Sequence, residues 1–221
     1  MKVAVVGLGY FGRTLVRALH RQGVEVIAID RSPEAVAGVS DEILHAVALD
    51  ATDGELLRGQ GIDEVDVLVV AIGEEHLASI LATAHAIEMG IPRVIARAPS
   101  PIQSRILQKI GAHEVFNPEE RAAAQLAERL VIPNLIDHIP LEEGWKVVQV
   151  RAPSAFVGKS LGELKLRPRH GVTVLAVMPS GEGGGAHLSP GAELMIEEGD
   201  QLILLGRVEG LQALPLDEPS E

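Results

Sequence analysis

Three glycines near the amino terminus carry the first recognisable chemistry in this sequence. Gly7, Gly9 and Gly12 stand in GxGxxG spacing within VAVVGLGYFG, residues 3–12. In such a loop the first glycine permits a tight turn. The second lets a diphosphate approach the backbone with no Cβ in the way, and the third lets a helix pack close to a strand. Free N–H groups and the dipole at that helix start attract phosphate oxygens. A carboxylate follows about 20 residues on, where a ribose would need one. It is Asp30, the last residue of VEVIAID, and its charge would repel a 2′-phosphate, which disfavours NADP. The plain alternatives are a glycine turn without a ligand and a strand-end acid at a helix start.

The elements that must position these residues are legible as alternating patterns. Val3–Val6 and Val24–Asp30 read as buried parallel strands, with helical periodicity between them from Arg13 to Arg21. Ser32-Pro33-Glu34 has the order of N-cap, first-position proline and first-turn acid. Further strands are expected over His45–Leu49, Val65–Ile72, Arg93–Ala98 and Glu114–Phe116. Helices are expected over Asp53–Gly61, Glu74–Met89 and Pro101–Ile110, and from Asn117-Pro118-Glu119 to about Ile132. Strict alternation implies an α/β fold, a Rossmann-like doubly wound parallel sheet with helices on both faces.

After Pro133 the texture changes. Residues 133–140 read as a linker with at most one helical turn. The boundary falls between a domain over 1–137 and a small α+β C-terminal domain over 138–214. Strands are expected at Lys146–Arg151, Val172–Met178, Leu194–Ile196 and Gln201–Leu205. A brief helix is expected around Leu161–Leu164, and a glycine-rich turn over Ser180–Ala186. Residues 215–221 read as a disordered acidic tail.

Composition narrows the function classes. The 221 residues are 47% hydrophobic but only 2% aromatic, so the core is aliphatic and stacking platforms for single-stranded nucleic acid are disfavoured. The formal net charge of −12, with no long basic run, argues against a nucleic-acid partner, because phosphate neutralisation needs clustered Lys and Arg. Cysteine is absent, which removes disulfides, thiolate catalysis and cysteine-ligated zinc. The start reads as a first strand rather than a signal peptide, and no apolar run approaches the roughly 20 residues that cross a bilayer. The expected location is cytoplasmic.

The whole chain resembles the cytosolic regulatory subunits of bacterial Ktr/Trk-type potassium transporters, which are free-standing regulator-of-potassium-conductance (RCK) proteins. The opening strand–loop–helix resembles their N-lobe, and DEVDVLVVAIG, VIARAPS and KIGAHEVFNPE match its remaining strand ends. VGKSLGELKLRPRHGVTVLAVMPSG and SPGAELMIEEGDQLILLG resemble their C-lobe. The resemblance implies dimers assembled into an octameric ring under a membrane potassium-transporter subunit, at the inner face of the cell membrane. ATP or ADP, or in some members NAD(H), would bind each N-lobe and set the shape of the ring. It also implies a regulatory rather than an enzymatic role.

Carried over by residue, the resemblance places Gly7, Gly9, Tyr10, Phe11 and Gly12 in the phosphate loop. Asp30 and Arg31 fall at the ribose, and Asp50, Ala51 and Thr52 in the adenine-side turn. Ala71, Ile72 and Gly73 lie along the nucleotide, with Arg97 near its phosphates. Glu119 matches an acid that helps hold a divalent cation, Mg2+ or Ca2+, between subunits. The bland alternative for Glu119 is an acid complementing a helix dipole. Tyr10 replaces an arginine usual in members that discriminate ATP from ADP, and tyrosine cannot neutralise a terminal phosphate. Arg13 is a candidate substitute. Arg167 matches an arginine used by some members to bind cyclic di-adenosine monophosphate, the alternative being a surface arginine on a loop.

Other constellations are missing. A nicotinamide-dependent oxidoreductase would need an acid–base group and a substrate anchor, and the eight histidines lie in no such motif. Ser79 and Ser104 lack a GxSxG context, and Gly158-Lys159-Ser160 lacks the upstream glycine of a P-loop. Regulation of a cation/proton antiporter through the same lobes stays open as a second reading, because the partner surface is not legible in sequence.

Overall fold

The computed structural model describes residues 1–131, 135–141, 144–181 and 185–216. The expected helix end at Ile132, Pro133-Asn134, residues 182–184 of the glycine-rich turn and the tail from 217 lie outside the described residues. The chain divides into two compact units, Met1–Glu120 and Arg121–Glu221.

The first unit is built on a six-stranded sheet in the order β3-β2-β1-β4-β5-β6. Its strands are β1 (Lys2–Val6), β2 (Glu25–Asp30), β3 (His45–Ala48), β4 (Val67–Val70), β5 (Arg93–Arg97) and β6 (Glu114–Phe116). Every pairing is parallel. The helices are α1 (Tyr10–Arg21), α2 (Pro33–Ser40), α3 (Gly54–Gly59), α4 (His76–Glu88), α5 (Pro101–Ile110) and the start of α6 (Pro118–Val131). Successive strand residues face opposite sides of the sheet. Ala4 and Val6 therefore join one buried cluster, with Ile27, Ile29, Leu68 and Val70, while Val3 and Val5 join another with Val16, Val36 and Val39 of α1 and α2. Burial on both faces is why β1 reads as an unbroken apolar run rather than an alternating one.

Local signals set most helix ends. Ser32 caps α2 by accepting the N–H of Ala35 at 3.2 Å, with Pro33 in the first turn. Ser100 caps α5 through the N–H of Gln103 at 3.3 Å, and Gly111 ends that helix at φ +112°. Several boundaries differ from expectation, by one or two residues at the ends of β4, α3 and α4 and by three at the start of α1. α1 begins at Tyr10, not Arg13, because Gly9 is already its N-cap and the turn out of β1 spans only Gly7–Gly9.

The second unit carries a five-stranded antiparallel sheet in the order β10-β9-β11-β8-β7. Its strands are β7 (Leu135–Pro140), β8 (Trp145–Arg151), β9 (Thr173–Met178), β10 (His187–Leu188) and β11 (Gln201–Arg207). Three short helices join it, α7 (Leu161–Leu164), α8 (Leu166–His170) and α9 (Val208–Gln212). Val148, Val150, Leu202 and Leu204 form the sheet side of the core, packed with Phe156, Leu164, Leu166 and Leu211.

Two expectations are corrected here. The described part of the expected linker, residues 135–140, is strand β7, paired with β8 from Leu135↔Val150 to Pro140↔Lys146 around one irregularity. Its flanking prolines and polar residues suggested a loop, but the pairing partner lies beyond them in sequence. Leu194–Ile196 is not a strand. It runs beside Lys159–Leu161, joined by an isolated bridge between Ser160 and Met195. Ile196 is buried there, and its apolar character reports burial rather than strand geometry. Helices α8 and α9 and the short β10 had no clear signal, being too brief for a periodic pattern.

Candidate nucleotide site

The strand order reverses between β1 and β4, so the crevice at their carboxyl ends is the natural ligand position of such a sheet. The glycine loop lies there. Gly7 has φ +96°, and a Cβ on it would stand 2.9 Å from the backbone N of Ile72. A side chain would therefore push the loop off the end of β4. A Cβ on Gly12 would stand 1.9 Å from the carbonyl oxygen of Gly7, so the first turn of α1 closes on the loop only without one. Gly9 differs from both. Its φ is −62°, which any residue adopts, and a Cβ there would meet nothing within 4 Å. Nothing in the described fold requires glycine at that position. Open space above an amide-rich helix start is what a ligand phosphate would use. No side chain caps α1, and its first turn holds no acid.

Asp30 closes β2 and is tied to this loop. Its Oδ2 accepts the N–H of Leu8 at 2.6 Å, and its Oδ1 accepts the N–H of Ser32 at 2.8 Å. A carboxylate has about four acceptor positions, so capacity remains for ribose hydroxyls. Arg31 is ion-paired with Glu75, the N-cap residue of α4. Asp50 accepts both the N–H of Thr52 at 2.9 Å and its hydroxyl at 2.8 Å. The Thr52 N–H, then its hydroxyl, hold the Asp50 carboxyl below its usual range. Ala51 is buried, and the carbonyl oxygen of Thr52 lies 3.0 Å from Nε2 of His85 on α4.

Tyr10 is 85% exposed. Phe11 faces the other way, its ring 5.3 Å from that of Phe116. Arg13 lies toward α2, its Nη1 3.9 Å from a Cβ position on Gly38. Ala71 is buried, its N–H donated to the carbonyl of Val6 at 2.7 Å, and Ile72 and Gly73 continue beyond β4. The guanidinium of Arg97 lies over Gly73 and is ion-paired with Glu119. Its Nε is buried without a partner among the described residues. Arg167 lies on α8 rather than on a loop and is exposed.

These residues fit a phosphorylated nucleotide, since the glycine cradle is open at Gly9 and a buried guanidinium N–H finds no partner among the described residues. They do not assemble a cation site by themselves. Glu119 already faces a guanidinium, and among the described residues no three His, Asp or Glu side chains cluster suitably for a metal ion. Sequence reasoning missed three supporting residues. The Leu8 amide, Glu75 and His85 find their partners 22, 44 and 33 positions away. No local pattern marks such pairs.

Comparison with known proteins decides the family. Residues 3–118 match the TrkA-N domain and residues 147–214 the TrkA-C domain. The chain belongs to the TrkA family. The Ktr system potassium uptake protein C of Bacillus subtilis is 35% identical over 205 residues, covering 93% of this chain and 91% of that protein. Protein A of the same system and organism is 34% identical, covering 92% and 90%. Among solved structures, the RCK domain of GsuK superposes with a TM-score of 0.52 at 27% identity, over 95% of this chain and 44% of that one. GsuK is also known bound to NAD, with a TM-score of 0.52 over 95% of this chain and 37% of that one. Its ADP-bound structure superposes at 0.50 and 28% identity, over 58% of this chain and 33% of that one. This TrkA-family chain thus carries one TrkA-N and one TrkA-C region. Among its described residues no helix is long and apolar enough to cross a membrane.

Proposed function

We propose that this chain is the nucleotide-binding regulatory subunit of a potassium uptake system, gating a membrane potassium-conducting subunit from its cytoplasmic face. The Ktr relatives are potassium uptake proteins, matched here over nearly their whole length. In this reading residues 1–137 form the nucleotide lobe and 138–214 the C-lobe. The protein dimerises and assembles into an octameric ring, and it performs no catalytic step.

The observation that carries the site assignment is Gly9, a glycine that the described packing does not require, beside open space at the start of a helix. Gly7, Gly9, Gly12 and the backbone of Tyr10 and Phe11 would hold the phosphates, and Asp30 the ribose. Asp50, Ala51 and Thr52 would border the adenine. Ala71, Ile72 and Gly73 would flank the ligand, with Arg31 and Arg97 supplying positive charge nearby. ATP and ADP are the favoured ligands. NAD(H) is the alternative, supported by the NAD-bound GsuK channel at 27% identity. Asp30 argues against a 2′-phosphate. The bound group would supply only binding free energy that differs between two ring shapes, which is all that gating requires. A cation at Glu119 would need ligands from beyond this chain, and no step depends on it.

Calorimetric titration with ATP, ADP, NAD and NADH, with and without Mg2+ or Ca2+, tests the reading, with light scattering to report assembly. ADP and ATP binding at similar affinity to an octamer is the expected result, because Tyr10 cannot neutralise a terminal phosphate. Selective NADH binding would transfer the site to the alternative. A protein that binds none of the four overturns the assignment.

A further inference from the structure

Arg97 is ion-paired with Glu119 and leaves its Nε unused among the described residues. A Cβ built on Gly73 would stand 2.6 Å from its Nη1 and 3.1 Å from its Cζ, so the guanidinium lies against the chain leaving β4. Nη2 donates to Oε1 of Glu119, in the first turn of α6. Nε is buried and has no partner among the described residues. The pair is lopsided, with the Arg97 side chain 18% exposed and that of Glu119 59% exposed. Glu119 is also unnecessary as a helix cap. Oδ1 of Asn117 accepts the N–H groups of Glu119 and Glu120, each at 3.1 Å.

We infer that Glu119 is an internal competitor for Arg97, a carboxylate that a ligand phosphate must displace, and that it thereby sets the affinity of the site for phosphate charge. The inference rests on the nucleotide reading above. A guanidinium binds carboxylate and phosphate oxygens in the same planar, charge-assisted geometry, and a phosphate held bidentately on the free Nε would also need Nη2, which Glu119 occupies. The Arg97 stem is fixed by burial, while the exposed Glu119 side chain can swing into water without loss of the Asn117 cap. Glu119 is therefore the group that yields. Its release changes the charge balance at the start of α6, the helix that crosses from the first compact unit into the second.

The test is calorimetric titration with ADP in EDTA, on the full chain and on Glu119→Gln, Arg97→Gln and the double variant. Glu119→Gln is expected to bind ADP about fivefold more tightly, the gain from releasing a partly exposed ion pair. Arg97→Gln is expected to bind more weakly. In the Arg97→Gln background the Glu119 change is expected to have no effect, since the coupling belongs to the pair. Glu119→Ala serves as a second variant, with the same expected gain at an exposed position that folding does not depend on. Unchanged or weaker ADP binding by both Glu119 variants, with normal wild-type binding, overturns the competition alone. A wild-type protein that binds no adenine nucleotide overturns the site and the competition together.

Discussion

The carboxylate of Asp30 receives the amide proton of Leu8 at 2.6 Å, joining the end of β2 to the middle of the glycine loop across 22 residues. This bond means that the residue assigned to the ribose also holds the loop assigned to the phosphates. Replacing Asp30 by Ala leaves the Leu8 and Ser32 amides without their acceptor. A stability loss of about 2 kcal/mol in urea titration is expected, with ADP affinity falling more than tenfold by calorimetry. Asp30→Asn, which keeps one acceptor oxygen, should lose about half as much stability.

Gly9 and Gly12 should separate binding from folding. Gly9→Val places its side chain in open space at an ordinary φ, so the melting temperature should stay within a few degrees while nucleotide binding is lost. Gly12→Ala drives a Cβ to 1.9 Å from the Gly7 carbonyl oxygen. It should destabilise the protein by about 3 kcal/mol, at the upper end for an overpacked site. Circular dichroism melts beside calorimetry would read both. A Gly9→Val protein that binds ADP normally would refute the phosphate site.

Acid should loosen the adenine-side turn. The Thr52 N–H and hydroxyl hold the Asp50 carboxyl below the ordinary aspartate value of 3.8. Its stabilisation is therefore complete above that value and is lost as the pH falls through the lower folded-state value. Because Asp50 is exposed, the effect is a few tenths of a kcal/mol. Asp50→Asn should flatten the acid limb of the stability profile below about pH 4 by that amount, measured by denaturant titration at stepped pH.

The second unit offers a test of local capping. Ser160 accepts the N–H of Glu163 at 3.3 Å, and Glu163 accepts the N–H of Ser160 at 2.8 Å. This reciprocal box starts α7. Ser160→Ala should cost about 1 kcal/mol, seen as increased amide exchange over Leu161–Leu164. Unaltered exchange there would show that the buried Leu164 alone holds the turn.

The parallel sheet, its strand ends and the glycine loop were legible because they depend on local rules. Apolar strands alternate with capped helices, and GxGxxG spacing together with an acid about 20 residues later are short-range patterns. The C-terminal resemblance likewise rested on runs of consecutive residues, and it pointed to the family. What the sequence could not determine were relations made across the chain. Strand β7 looked like a linker because its partner β8 supplies the hydrogen bonds that its own composition does not advertise. Phe11, which the motif placed in the loop, turns to Phe116, and Arg31 turns to Glu75. Arg97 and Glu119 carried separate roles in the sequence and form one ion pair in space. Burial, charge pairing and the direction of a side chain are set by residues far away in sequence, so tertiary structure alone decided them.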